Sequence, residues 1–91
     1  MQKVIAQFIV PGMTSKQYDQ VMNDLETSGH GKPNGRLHHV AAEIPNGWSV
    51  IDVWQSGESM NEFAGILIPI LIKNGVTPPQ PTILPVHNIV A

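Results

Sequence analysis

A chain of 91 residues with 5 basic and 7 acidic side chains, a formal net charge of -2 and no cysteine excludes disulfide scaffolds and thiolate zinc sites. The absence of any basic run argues against a nucleic-acid partner, which would require phosphate neutralisation. Hydrophobic residues make up 42% and charged ones 13%, so apolar surface left over from a single domain spanning residues 1–91 is expected to lie in a homodimer interface.

Residues 3–10, KVIAQFIV, are mostly β-branched or aromatic and stop at Pro11-Gly12, which predicts a strand and a turn. The period then changes. Thr14 followed three residues later by Gln17 has the form of a capping box, and Tyr18, Val21, Met22 and Leu25 recur at helical spacing, so a helix over about 15–28 is expected to end at Gly29. SGHGKPNGR, residues 28–36, is a loop.

Two extended runs follow, 36–44 and 48–56, separated by Asn46-Gly47, a dipeptide that accepts positive φ at both centres of a two-residue hairpin turn. Ser56 can cap the next helix, with Met60, Phe63, Leu67, Ile70 and Leu71 as its buried stripe. Pro69 should bend or divide that helix. TPPQP then leads to a last strand within 82–90, where Pro85 argues for an edge position. No stretch reaches the roughly 18–20 apolar residues of a membrane span, and the N-terminal residues lack the composition of an export signal; a cytoplasmic protein is expected.

The order βαββαβ points to an α+β ferredoxin-like sandwich, a four-stranded antiparallel sheet with two helices on one face. A turn centred on Asn46-Gly47 sets His39 opposite Trp54, Ala41 opposite Asp52 and Glu43 opposite Val50 on one face. It places His38 opposite Gln55, Val40 opposite Val53 and Ala42 opposite Ile51 on the other. The first face, with Asp52 diagonal to His39, is expected to look toward the helices, where Tyr18, Met22, Phe63 and Leu67 would line a ligand pocket. The aliphatic face would meet its copy in a dimer.

Each polar candidate has a plainer reading beside the functional one. His39 reads as a catalytic base or as hydrogen-bonded structure, Asp52 as its orienting partner or a structural acid, and Trp54 as a stacking platform or as core with its indole N–H satisfied locally. His87 is carried as a substrate-binding candidate whose face the pattern leaves open. His30, His38 and Trp48 are read as surface or interface residues. No metal set is expected, because His38 and His39 point to opposite faces and no HxH or ExxH pattern occurs. Neither a nucleophile elbow nor a phosphate loop is present.

DVWQSGESMNEF, residues 52–63, resembles the VWxSxExFxxF segment of the dimeric α/β-barrel superfamily, which includes the antibiotic-biosynthesis monooxygenases. VPGMTSKQYDQV, residues 10–21, and PVHNIV, residues 85–90, are similar to a small bacterial subgroup of it whose function is unassigned. The resemblance implies a ferredoxin-like protomer that pairs into a barrel and binds ligands between sheet and helices. Its members include cofactor-independent oxygenases of polycyclic phenols, muconolactone isomerases, haem-degrading oxygenases and chlorite dismutase relatives. Trp54 matches a tryptophan of the haem-degrading members. Their first-strand asparagine is Gln7 here, however, and residues 57–74 hold no histidine for an axial ligand, so no cofactor is expected.

The resulting expectation is a cofactor-independent monooxygenase or isomerase of a small aromatic or polyketide-like compound, with His39 as base, Asp52 behind it and Trp54 stacked on the substrate. The alternatives are a non-catalytic dimer that binds or senses an apolar metabolite, and a dimer that stabilises a larger assembly without a ligand.

Overall fold

A computed structural model describes residues 2–90. Its elements follow the expected order: β1 (Val4–Pro11), α1 (Ser15–Thr27), β2 (Arg36–Ile44), β3 (Gly47–Trp54), α2 (Gly57–Lys73) and β4 (Thr82–Pro85). The strands form one antiparallel sheet in the order β2-β3-β1-β4, the ferredoxin-like arrangement.

Helix α1 starts as its sequence dictates. The Thr14 hydroxyl accepts the Gln17 N–H at 3.2 Å, while the Gln17 side-chain oxygen accepts the Thr14 N–H at 3.0 Å. At the C-terminal end of α2, Gly75 adopts φ 77°. The Val76 N–H reaches back to the Leu71 carbonyl at 2.9 Å and the Gly75 N–H to that of Ile72 at 3.0 Å, a Schellman closure whose accompanying apolar contact is between Leu71 and Val76, both core residues. Of the two outcomes expected at Pro69, a bend or a division, division does not occur: α2 runs unbroken through it. Pro69 and Gly65, whose carbonyl loses its donor, are both exposed; water can satisfy that carbonyl, and Gly65 has no side chain to crowd the pyrrolidine ring.

The hairpin register differs from the one the Asn46-Gly47 pair suggests. Ile44 pairs with Gly47, so the turn centres are Pro45 and Asn46, with positive φ at Asn46 (59°), the signature of a type II turn with proline at its first centre. Gly47 instead enters β3 opposite Pro11 of β1. A Cβ there would lie 2.7 Å from the Val10 carbonyl oxygen, so the glycine serves backbone approach rather than a left-handed turn. Gly47→Ala should therefore lower stability by about 1–3 kcal/mol, read as a drop in melting temperature; an unchanged melting temperature would show that β1 can move aside without cost.

Because the register moves by two residues, every side chain keeps its expected face. The partners change: His39 lies directly opposite Asp52 rather than diagonal to it, Ala41 opposite Val50, Glu43 opposite Trp48, His38 opposite Val53, Val40 opposite Ile51 and Ala42 opposite Ser49. A β-bulge between Arg36 and His38 then leaves Arg36, not His39, opposite Trp54.

Ala6, Val10, Trp48 and Trp54 on the inner face pack with Val21, Leu25, Phe63 and Leu71 of the helices. Trp48, expected at the surface or in an interface, is instead buried within the single chain, its ring centroid 5.1 Å from that of Tyr18. The outer face is uncovered in the single chain. Ile9, Val40, Ile51 and Leu84 are 57%, 62%, 44% and 43% exposed. The final strand is four residues long, shorter than the 82–90 stretch allowed, and lies at the sheet edge, where Pro85 costs no ladder bond. Among the described residues no helix is long and apolar enough to cross a membrane.

Candidate active site

Strand alternation turns His39 and Asp52 inward from neighbouring strands, and helix α1 lays Tyr18 across them. The His39 Nδ1 and an Asp52 carboxylate oxygen are 2.5 Å apart, and the Tyr18 hydroxyl lies 2.7 Å from His39 Nε2. An ionised carboxylate has no proton to give, so Nδ1 carries the hydrogen and donates to Asp52. In the neutral imidazole, Nε2 then accepts the Tyr18 O–H. The Tyr18 and His39 rings are nearly parallel (9°), with centroids 6.1 Å apart, farther than close face stacking and joined edge to edge by the hydroxyl–Nε2 hydrogen bond. Burial pushes the Tyr18 phenol above its usual value near 10; the Arg36 charge opposes this shift, and the Asp52 and Asp19 carboxylates reinforce it. Tyr18 therefore stays protonated at neutral pH.

This chain of groups borders a cavity of about 460 Å³ between the sheet and the helices, within the range of small-molecule sites. Of the residues singled out in the sequence, His39, Asp52, Trp54, Tyr18, Met22, Phe63 and Leu67 all line it. His87 does not. It is exposed beside Gln2 and Lys3, where the chain leaves β4. Trp54 is only 1% exposed and tilted against Phe63, with ring centroids 5.5 Å apart, so it forms packed wall and offers little open face for stacking. Among the described residues its indole N–H has no hydrogen-bond partner, so the local acceptor that the core reading expects is not found.

Sequence reading leaves two contributors to the cavity unnamed and the part played by a third, Tyr18, unread. Tyr18 was counted as apolar lining, whereas its hydroxyl extends the His39–Asp52 pair; no local pattern announces a bond between residues 21 positions apart. Arg36 faces inward only because of the bulge after it. The proline-rich TPPQP stretch, expected only to lead into the last strand, contributes residues 78–81 to the cavity lining; its proline richness signals extended chain but not location.

A metal or haem does not fit these donors. Among the described residues no group of three or more His, Cys, Asp or Glu could hold a metal ion. Gln7, where the haem-degrading members place an asparagine, lies on the outer face opposite Ile51, and His39, the one imidazole lining the cavity, has both ring nitrogens engaged.

No family model matches this sequence, and no curated protein matches it either. Solved structures do match its fold. Cofactor-independent oxygenase SnoaB from Streptomyces nogalater superposes with a TM-score of 0.64 at 12% identity, over 98% of this chain and 95% of that one. A candidate antibiotic biosynthesis monooxygenase from Deinococcus radiodurans gives 0.61 at 12% identity, over 98% and 96%. A dimeric ferredoxin-like protein of unknown function from Thermobifida fusca gives 0.62 at 8% identity, over 93% and 92%. The chain thus has the ferredoxin-like fold that these structures share. At these identities the likeness is one of fold, and the chemistry must be argued from the residues of the site.

Proposed function

We propose that this protein is a homodimeric, cofactor-independent monooxygenase of a small, flat, hydroxylated aromatic compound. The observation that carries the reading is the Tyr18–His39–Asp52 hydrogen-bond chain at the wall of an otherwise apolar cavity. A substrate hydroxyl or an acidic ring C–H would pass its proton to the Tyr18 oxygen as the Tyr18 proton moves to His39 Nε2. Asp52 would hold the imidazolium so formed. The substrate, now an electron-rich anion, would react with dioxygen; one oxygen atom enters the ring as a carbonyl and the other leaves as water, with the electrons drawn from the substrate's own C–H bonds. That sequence needs neither metal nor flavin. The fold shared with SnoaB, itself a cofactor-independent oxygenase, agrees with it.

The dimer belongs to the same reading. Ile9, Val40, Ile51 and Leu84 present an aliphatic outer face, and a similar fold is dimeric in the Thermobifida fusca protein. Covering that face with a second copy would close two sheets on each other and hold the cavity walls in place.

Oxygen uptake with anthrone, followed together with formation of the corresponding quinone, tests the activity. The expected result is one quinone and one water per oxygen molecule consumed, in protein stripped of metals by chelator. Binding of anthrone without oxygen uptake would make the cavity a non-catalytic metabolite site instead.

A further inference from the structure

We propose that Arg36 is the anion-binding residue of this cavity, so that the ligand it takes carries a negatively charged oxygen, whether present from the start as a carboxylate or formed as a phenolate or enolate during proton transfer. The inference rests on the reading of the cavity as a ligand site and adds the charge of its occupant.

Three observations lead there. The first is the bulge. In β2 the even-numbered positions 38, 40 and 42 face outward, and an unbroken strand would send Arg36 out with them. The extra residue, Leu37, reverses the parity and brings Arg36 onto the inner face opposite Trp54. Bulges of this kind re-aim a side chain beside a functional site. This one interrupts the ladder to do so.

The second is what the guanidinium meets once inside. Arg36 is half-buried, and among the described residues it makes no ion pair. Of its five N–H donors, one bonds to the Gly31 carbonyl at 3.2 Å. The guanidinium carbon sits 5.8 Å from the centroid of the Phe63 ring, a contact that offsets only part of the cost of removing a cation from water. Asp52, the one carboxylate lining the cavity, is taken up by His39. Donors are therefore left over on a partly desolvated cation.

The third is charge balance. After a proton reaches His39, the imidazolium is matched by Asp52, and Arg36 remains as the uncompensated charge at the cavity. A substrate anion is its complement. The Arg36 charge acts on the Tyr18 phenol more strongly than that of Asp52 does, consistent with a position close to where the substrate oxygen would form.

The test needs no turnover. 2-Naphthoate and its neutral isostere 2-naphthamide share a flat apolar body and differ in charge; their dissociation constants would be measured by calorimetry at pH 7. Wild-type protein should prefer the carboxylate by about tenfold to a hundredfold, as expected for hydrogen bonds to a charged group in a partly dry site. Arg36→Met should abolish the preference while moving the naphthamide constant by less than about twofold, because the apolar stem is kept. Arg36→Lys, which keeps the charge and loses the fork, should retain most of it and guards against misreading a folding defect. Equal affinity for the two compounds in the wild type, or an equal loss of both in Arg36→Met, overturns the assignment. If neither binds, the ligand-site reading itself fails and the assignment with it. If naphthoate is preferred and anthrone is not oxidised, Arg36 stands and only the oxygenase reading falls.

Discussion

His39→Ala should lower kcat for anthrone oxidation by about 10²- to 10⁴-fold, the usual contribution of a positioned general base, with KM little changed because the imidazole sits in the wall and contributes little to binding the ring. The same substitution leaves the Asp52 carboxylate buried, 6% exposed, without its hydrogen-bond partner, and should therefore lower stability by about 1–3 kcal/mol. A loss of activity on its own would thus be ambiguous. The double variant His39→Ala with Asp52→Leu resolves it, since removing both partners leaves no unpaired charge in the core and commonly restores or improves stability. Recovery of the melting temperature without recovery of kcat marks the pair as chemical machinery. Recovery of both would mean that the pair is structural and that the base lies elsewhere.

Tyr18→Phe adds the third member of the chain. The ring and its packing against Trp48 are kept while the hydroxyl between the cavity and His39 Nε2 is lost. If the proton passes through Tyr18, kcat falls by roughly ten- to a hundredfold and the fold is unaffected. Because burial holds the phenol above its ordinary value, activity dependent on a protonated Tyr18 should persist up to about pH 10 and fail only above it. A decline already near neutral pH would have to come from another group.

Ile51→Lys is expected to have the largest effect on assembly. Ile51 lies on the outer face, paired with Val40 on one side and Gln7 on the other, in the middle of a surface on which Ile9, Val40, Ile51 and Leu84 stand 43–62% exposed in the single chain. A stable dimer needs about 800 Å² buried from each partner. Two copies meeting through this sheet face would place both introduced ammonium groups in an apolar seam, at a cost of several kcal/mol. Sedimentation should show a dimer for the wild type and a monomer for the variant, together with a lower melting temperature. A wild-type monomer at tens of micromolar would remove the interface from the account, leaving the cavity reading to stand on Tyr18, His39 and Asp52 alone.

The sequence by itself determined the elements and their faces, because both depend on short-range physics. The Thr14/Gln17 box, the glycines after each helix and the period-two pattern of β2 and β3 act over a few residues, and a hairpin register misjudged by two positions still leaves His39, Asp52 and Trp54 on one side. The tertiary structure decided what those residues do to one another. Pro45 and Gly47 compete for the turn, and the outcome turns on how closely β1 must approach Gly47, a contact from elsewhere in the chain. That outcome converts a distant diagonal into the His39–Asp52 hydrogen bond. Tyr18 reaches His39 only once α1 packs on the sheet, and Arg36 faces inward only through the bulge at Leu37. Local pattern chooses a face because side-chain direction is set by the backbone period. Hydrogen-bond partners are set by distances of a few ångströms between elements, which no local pattern encodes.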